Sequence, residues 1–287
     1  MTVAPAVYAR RFASLVKIEH TVFALPYAFA GALLARDRVP PAATMLWITV
    51  AMVGARSLAM ALNRLIDAEI DARNPRTARR EIPSGLLSRV QVLGFAALSL
   101  AVFLVAVWRL PSLTHVLWPI PVAGFVLYPY MKRLTWLCHA FLGAVDGIAP
   151  LGGWVAVANS LSLAPFLLGC AVALWIGGFD IIYATMDLDV DRREGLHSIP
   201  RRFGLRIALL VTRLAHLLSV VLLVWMGANL HLGLAYYVAV LVVAVLLAYE
   251  NGLVSPDDLS RVDMAFLTMN GVIALVFLAG VVLDVAA

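Results

Sequence analysis

The stretch N63-R-L-I-D67-A-E-I-D71-A-R-N-P-R76-T-A-R-R80 reads unlike the chain around it. Of 287 residues, 63% are hydrophobic and only 14% charged, yet these eighteen positions hold five arginines and three acids. Asn63, Asp67 and Asp71 recur every four residues. On a helix turning about 100° per residue they form one narrow stripe, with Glu69 on the opposite side. Carboxylates at that spacing repel one another, and each costs about 3 kcal/mol next to hydrocarbon. Such a column needs a cation to face.

The surroundings are hydrocarbon-like. An apolar content of 63% lies outside the range of soluble domains. Runs long enough to cross a bilayer, roughly 20 residues each, recur throughout. The sequence predicts nine, at about 15–35, 44–65, 90–108, 114–131, 136–158, 163–186, 206–228, 233–249 and 264–286. The expectation is therefore an all-α polytopic membrane protein. The first span is too long for a signal core and lacks a small-residue cleavage site, so no cleaved leader is expected.

Lysine and arginine set the orientation. With the N-terminus cytoplasmic, 17 of the 22 basic residues fall on inside segments and only Arg36, Arg38 and Arg109 outside. That bias predicts an N-in, C-out topology in the cell inner (cytoplasmic) membrane. The net charge of +5 then reflects loops facing anionic lipid rather than nucleic acid. Cys138 and Cys170 stand far apart and form no metal-type spacing, so they read as small packing residues.

Only two inside connections are rich in charge, 67–89 and 187–206. The second follows FDIIYATMDLDVDRREGLHS at 179–198, where Asp180, Tyr183, Asp187 and Asp191 again form one stripe and Asp189 faces elsewhere. The two motifs lie four predicted helices apart on one side. This suggests a single domain over 1–287 built from four-helix units, 15–131 and 136–249, with a ninth helix at 264–286. One acidic column alone reads as a solvated helix end; two matched columns, each with arginines behind it, do not. Carboxylate and amide oxygens suit hard divalent ions such as Mg²⁺. Arg73, Arg76, Arg79 and Arg80 follow the first column, Arg192 and Arg193 the second, and arginine's planar fork matches phosphate oxygens. Single arginines also have a plain topological explanation, as does Lys132. Together the pattern points to a phosphate-bearing substrate with an apolar tail.

These motifs resemble the UbiA superfamily of intramembrane aromatic prenyltransferases. The likeness is carried by N63-R-L-I-D67-A-E-I-D71, by R76-T-A-R-R-E-I-P83-S84-G85, and by Y183-A-T-M-D187-L-D-V-D191 with Gly195 and Ser198. YPYMKR at 128–133 and K17-I-E19-H20 are further matches. The resemblance implies about nine helices around a central cavity open to lipid. It also implies Mg²⁺ bridging the acidic motifs to a polyprenyl diphosphate, which ionises and alkylates an electron-rich ring. Carried over by position, Asn63, Asp67, Asp71, Asp187 and Asp191 would be metal-linked. The four aspartates would be catalytic, with Asp71 and Asp191 both open as the base. Arg76, Lys132, Arg193 and Tyr183 would hold the diphosphate; Lys17, Glu19 and His20 would meet the acceptor. Two departures stand out: Arg64 sits where many members carry a second Asp, and His197 where a Lys often occurs.

The acceptor implied is a phenolic acid and quinone precursor, 4-hydroxybenzoate or 1,4-dihydroxy-6-naphthoate, for ubiquinone or menaquinone. The wording D191-R-R-E-G-L-H-S-I-P-R-R-F-G leans towards the naphthoate branch. Haem, chlorophyllide and homogentisate are other acceptors of the family. A cation-coupled transporter is the competing class, but transporter acids sit near the midplane in broken helices, whereas these gather at helix ends. Asp146 lies mid-span, facing a cavity or meeting Arg56 or Arg213; His115, His139 and His216 read as ordinary satisfied polar residues.

Overall fold

The computed structural model describes residues 5–16, 21–36 and 39–287. These residues are helical almost throughout. In hydrocarbon every backbone N–H and C=O must be satisfied within its own segment, which leaves a chain this apolar little alternative. α1 (Pro5–Val16), α2 (Thr21–Leu34) and α3 (Ala42–Arg73) open the fold. α4 (Arg89–Trp108), α5 (Ser112–Leu117) and α6 (Pro119–Leu134) follow, then α7 (Cys138–Asp146) and α8 (Ile148–Ala158). The second half holds α9 (Leu163–Ala184), α10 (Leu188–Glu194), α11 (Ile199–Leu230), α12 (Leu234–Gly252) and α13 (Asn270–Ala286).

Among the described residues, six helical stretches are long and apolar enough to cross a membrane. They are Ala42–Arg73, Arg89–Trp108, Cys138–Ala158, Leu163–Glu194, Ile199–Leu230 and Leu234–Gly252. They coincide with six of the nine expected spans. The other three segments hold shorter helices, for local reasons. The 114–131 run is divided at Trp118, where Pro119 starts α6. The 264–286 run begins as a π-helical turn, Met264–Met269, before α13. The first run is divided between α1 and α2.

α3 has 32 residues, or roughly 48 Å at 1.5 Å per residue, well beyond a hydrocarbon core of about 30 Å. Its last turns, with Asn63 to Asp71, therefore run on towards the membrane surface. α9 takes a different route. The sequence reading expected one helical stripe from Asp180 to Asp191. Instead a 3-10 turn at Thr185–Asp187 separates α9 from α10, with Asp187 at φ −99° and ψ 4°. Gly195, at φ 71°, supplies the left-handed residue that ends α10. Ser198 then caps α11, accepting from Arg201 N–H at 3.4 Å.

α9 is the core helix, packed between α7 and α11, and its buried face includes Leu168, Trp175, Phe179 and Ile182. α3 lies along α4, and α2 along α8 and α13. Glycine permits the closest crossings, as expected where lipid offers no hydrophobic drive and packing must hold helices together. A β-carbon on Gly143 of α7 would stand 2.1 Å from the Ala173 carbonyl oxygen of α9. That crossing brings the start of α7 against the acidic end of α9.

Candidate active site

α3, α6, α7, α9 and α10 converge on a polar hollow of about 160 Å³. Both acidic columns reach it. Asn63, Asp67 and Asp71 come from α3, while Asp180, Tyr183, Asp187 and Asp191 come from α9 and its continuation. Arg76, Arg80 and Lys132 complete the charged wall.

Each carboxylate is matched by the chain itself. Lys132 Nζ donates to Asp67 Oδ2 at 2.6 Å and Arg133 Nη2 to Asp67 Oδ1 at 3.0 Å. Asn63 Nδ2 adds a bond to Asp67 Oδ2 at 3.0 Å. Arg80 Nη1 donates to both Asp71 oxygens at 2.8 Å. Arg76 grips Asp187 with two nitrogens, and its Nη1 also donates to the Tyr183 hydroxyl at 2.5 Å. Asn74, the residue capping α3, donates to Asp187 Oδ1 at 2.9 Å. Among the described residues, Asp191 accepts from Ser198 Oγ alone, at 2.7 Å. Burial works to strip the Arg76 proton, but the bond to Asp187 outweighs it and holds the guanidinium above its ordinary value.

Of the residues singled out from sequence, Asn63, Asp67, Asp71, Arg76, Lys132, Tyr183, Asp187 and Asp191 therefore line one hollow. Arg193 does not: it sits exposed on α10, away from the lining. Lys17, Glu19 and His20 lie outside the described residues. Arg73 is used elsewhere, pairing with Glu194 at 2.6 Å and tying the end of α3 to the end of α10. Arg64 points away, donating to Asn63 Oδ1 at 3.2 Å and lying 4.0 Å from Glu81. His197 lines the hollow, and its backbone N–H donates to the Lys132 carbonyl at 2.6 Å.

Two participants were missed, Asn74 and His139. Asn74 sits at the turn that ends α3, where no periodicity marks it. His139 passed as an ordinary polar residue; its Nδ1 lies 2.7 Å from Asp180 Oδ2, on the wall of the hollow. Cys138 also lines the wall, its thiol donating to the His197 carbonyl at 3.3 Å, and Cys170 is exposed rather than packed.

The acidic columns do not gather into a ready metal cage: among the described residues, no three His, Cys, Asp or Glu side chains stand close enough to hold an ion. The pairing just described draws Asp67, Asp71 and Asp187 to different cations, while Asp191 turns to Ser198. The donor set nonetheless fits Mg²⁺, which takes one or two carboxylates at a time and fills its remaining positions with water and phosphate oxygens. Asn63, Asp67 and Asp71 on one wall and Asp187 and Asp191 on the other supply such oxygens.

Next to this hollow lies an apolar one of about 430 Å³, lined by Ile48, Met52, Phe103, Phe125 and Val155 among others. Ala59 borders it, one helical turn from Asn63. Arg56 and Asp146 are its charged residues, and Arg56 Nε is buried with no hydrogen-bond partner among the described residues.

A profile of the UbiA prenyltransferase family matches residues 24–279. The chain belongs to that family. It is a UbiA-type prenyltransferase, and the transporter reading falls away. A 4-hydroxybenzoate octaprenyltransferase from Marinobacter nauticus is 33% identical over 286 residues, covering 96% of this chain and 94% of that protein. One from Aliivibrio fischeri is 30% identical over 270 residues, covering 94% and 91%. Among solved structures, an apo UbiA homolog from Aeropyrum pernix K1 superposes with a TM-score of 0.85 at 34% identity, covering 93% of this chain and 98% of that one. A UbiA homolog from Archaeoglobus fulgidus bound to GPP and Mg²⁺ has a TM-score of 0.73, with 96% and 100% covered. At 17% identity it shares the fold alone.

Proposed function

We propose that this UbiA-type enzyme transfers a polyprenyl group from polyprenyl diphosphate to the ring of a phenolic acid, 4-hydroxybenzoate in the first instance, and releases diphosphate. The observation that carries the reading is the meeting of five carboxylates with Arg76, Arg80 and Lys132 in one polar hollow beside an apolar one. The names of the relatives support the acceptor.

In this reading Asn63, Asp67, Asp71, Asp187 and Asp191 hold Mg²⁺, which when bound supplies positive charge to the leaving diphosphate. Arg76 and Lys132 bind the diphosphate oxygens as developing charge appears on them, and Tyr183 orients Arg76. The carbon–oxygen bond breaks with its electron pair going to diphosphate. The allylic cation left behind is attacked by a ring carbon, and the ring proton then passes to a base. Of the two candidates, Asp71 is clasped twice by Arg80, whereas Asp191, among the described residues, accepts from the Ser198 hydroxyl and no cation. We therefore assign the proton to Asp191. The apolar hollow takes the prenyl chain and keeps water from the cation. Arg56 offers its unpartnered donor to the acceptor's carboxylate.

The topology fits the same picture: an inner-membrane protein with its N-terminus cytoplasmic and its C-terminus outside, about nine spans in all, and one domain built from two four-helix units. α3 and α9, which carry the two columns, belong to different units. The test is product formation by purified protein in detergent with Mg²⁺ and geranyl diphosphate. A panel containing 4-hydroxybenzoate and 1,4-dihydroxy-6-naphthoate would be read by mass spectrometry. A prenylated phenolic acid is expected; release of diphosphate without alkylation of any ring would overturn the assignment.

A further inference from the structure

A second polar-to-apolar groove lies away from the reaction site, between α11 and α12, with a volume of about 400 Å³. Its flanks are lipid-facing: Leu214, Leu218 and Val221 on α11 and Leu241 and Val245 on α12 are exposed apolar side chains. Val220, Ala244 and Ala248 line its floor, and the two alanines, one turn apart, leave the space open. Arg213, His216 and Asn251 line its other part.

The polarity runs in one direction. α11 starts beside the acidic hollow, after Ser198, and the 19-residue α12 runs back alongside it to end at Gly252, beside Arg213 and His216. Arg213 and His216 precede Val220 on α11, and Asn251 follows Ala244 and Ala248 on α12. All three polar residues thus sit towards the membrane surface that bears the hollow, and the apolar floor runs from them into the bilayer. His216 is already satisfied: Asn251 Nδ2 donates to its Nδ1 at 2.8 Å, and its Nε2 lies 3.3 Å from the Trp175 carbonyl. Its imidazole is therefore the neutral form carrying a proton on Nε2. Arg213 is the groove's cation, exposed, with no ion pair or hydrogen bond among the described residues.

We propose that this groove binds an anionic phospholipid of the surrounding bilayer, its phosphate on Arg213 and one acyl chain along Val220, Ala244 and Ala248. One guanidinium matches the single charge of a phosphodiester; a diphosphate, with at least two charges, is far better served by the arginine-rich hollow. The direction of the groove also matches that of a lipid whose head lies at the surface and whose tail points inward. An arginine that merely snorkels to the headgroups needs no groove beneath it.

The experiment measures retention of phosphatidylglycerol by the purified full-length protein in neutral detergent, using native mass spectrometry. Phosphatidylcholine and glycerol phosphate serve as competitors. One phosphatidylglycerol per chain is expected, outcompeting both. R213Q should weaken it about fivefold, in keeping with one basic residue near a lipid surface. A248L, which fills the floor, should weaken it at least as much. Circular dichroism and monodisperse elution check that both variants fold. Unchanged retention in A248L would reduce Arg213 to a snorkelling side chain and overturn the site. So would displacement by glycerol phosphate alone, or a changed oligomeric state in both variants with lipid retention intact.

Discussion

Asp67 and Asp187 face the same hollow in different company, and the difference sets what their loss should do. Asp67 is almost wholly buried and holds two cations, Lys132 and Arg133. Asp67→Asn keeps the shape but leaves those cations short of a counter-charge, so it should both abolish turnover and lower the melting temperature. Asp187 is more accessible, as is the Arg76 guanidinium it pairs with. Asp187→Asn should cost at least 100-fold in kcat with little change in melting temperature. Parallel turnover and thermal-melt measurements separate the two; equal melting losses would contradict the pairing described. At Arg76 the geometry matters as much as the charge, because the planar fork spans Asp187 and Tyr183 together. Arg76→Lys should raise KM for the prenyl diphosphate about tenfold while leaving KM for the acceptor unchanged. Arg56→Leu should do the reverse.

Elements show how much of this was legible in the sequence and why the rest was not. Asn63, Asp67 and Asp71 could be read off because α3 runs straight through them and four-residue spacing survives on a continuous helix. Tyr183, Asp187 and Asp191 reach the same hollow although the helix breaks at Asp187, since the 3-10 turn shifts the stripe without turning it outward. Asn74 escaped notice because irregular turns have no period to betray a facing. His139 escaped for a different reason: its partner Asp180 is 41 residues away, and only the α7–α9 crossing brings them together. That crossing depends on Gly143, where any side chain would run into the Ala173 carbonyl. Gly143→Val should therefore force α7 and α9 apart at a cost of about 1–3 kcal/mol, lowering the melting temperature and the turnover together. A variant with native melting behaviour would show that the helices tolerate separation.

At the scale of the whole molecule, the two halves share an apolar core, with α2 packed on α13 and α7 on α9, and at one end they also meet through charge: α3 and the loop after it face α9 and α10 across a hollow in which most acids are already paired with bases. Arg76, Arg80, Lys132 and Arg133 neutralise Asp67, Asp71 and Asp187 with no metal needed to hold the halves together. Chelation should then remove activity without unfolding the protein, leaving the melting temperature within a few degrees of its starting value. The same balance has a consequence for the order of binding. Mg²⁺ alone must displace arginine and lysine from their carboxylates, whereas a diphosphate draws those cations to itself and frees the acids for the metal. The affinities of Mg²⁺ and prenyl diphosphate must consequently rise together, and by the same factor whichever is added first. Titration calorimetry with Mg²⁺, in the presence and absence of a non-ionising thio-analogue of geranyl diphosphate, measures that factor. We expect weak Mg²⁺ binding without the analogue and binding at least tenfold tighter with it. Equal affinities in the two titrations would mean that the carboxylates reach the metal without giving up their partners.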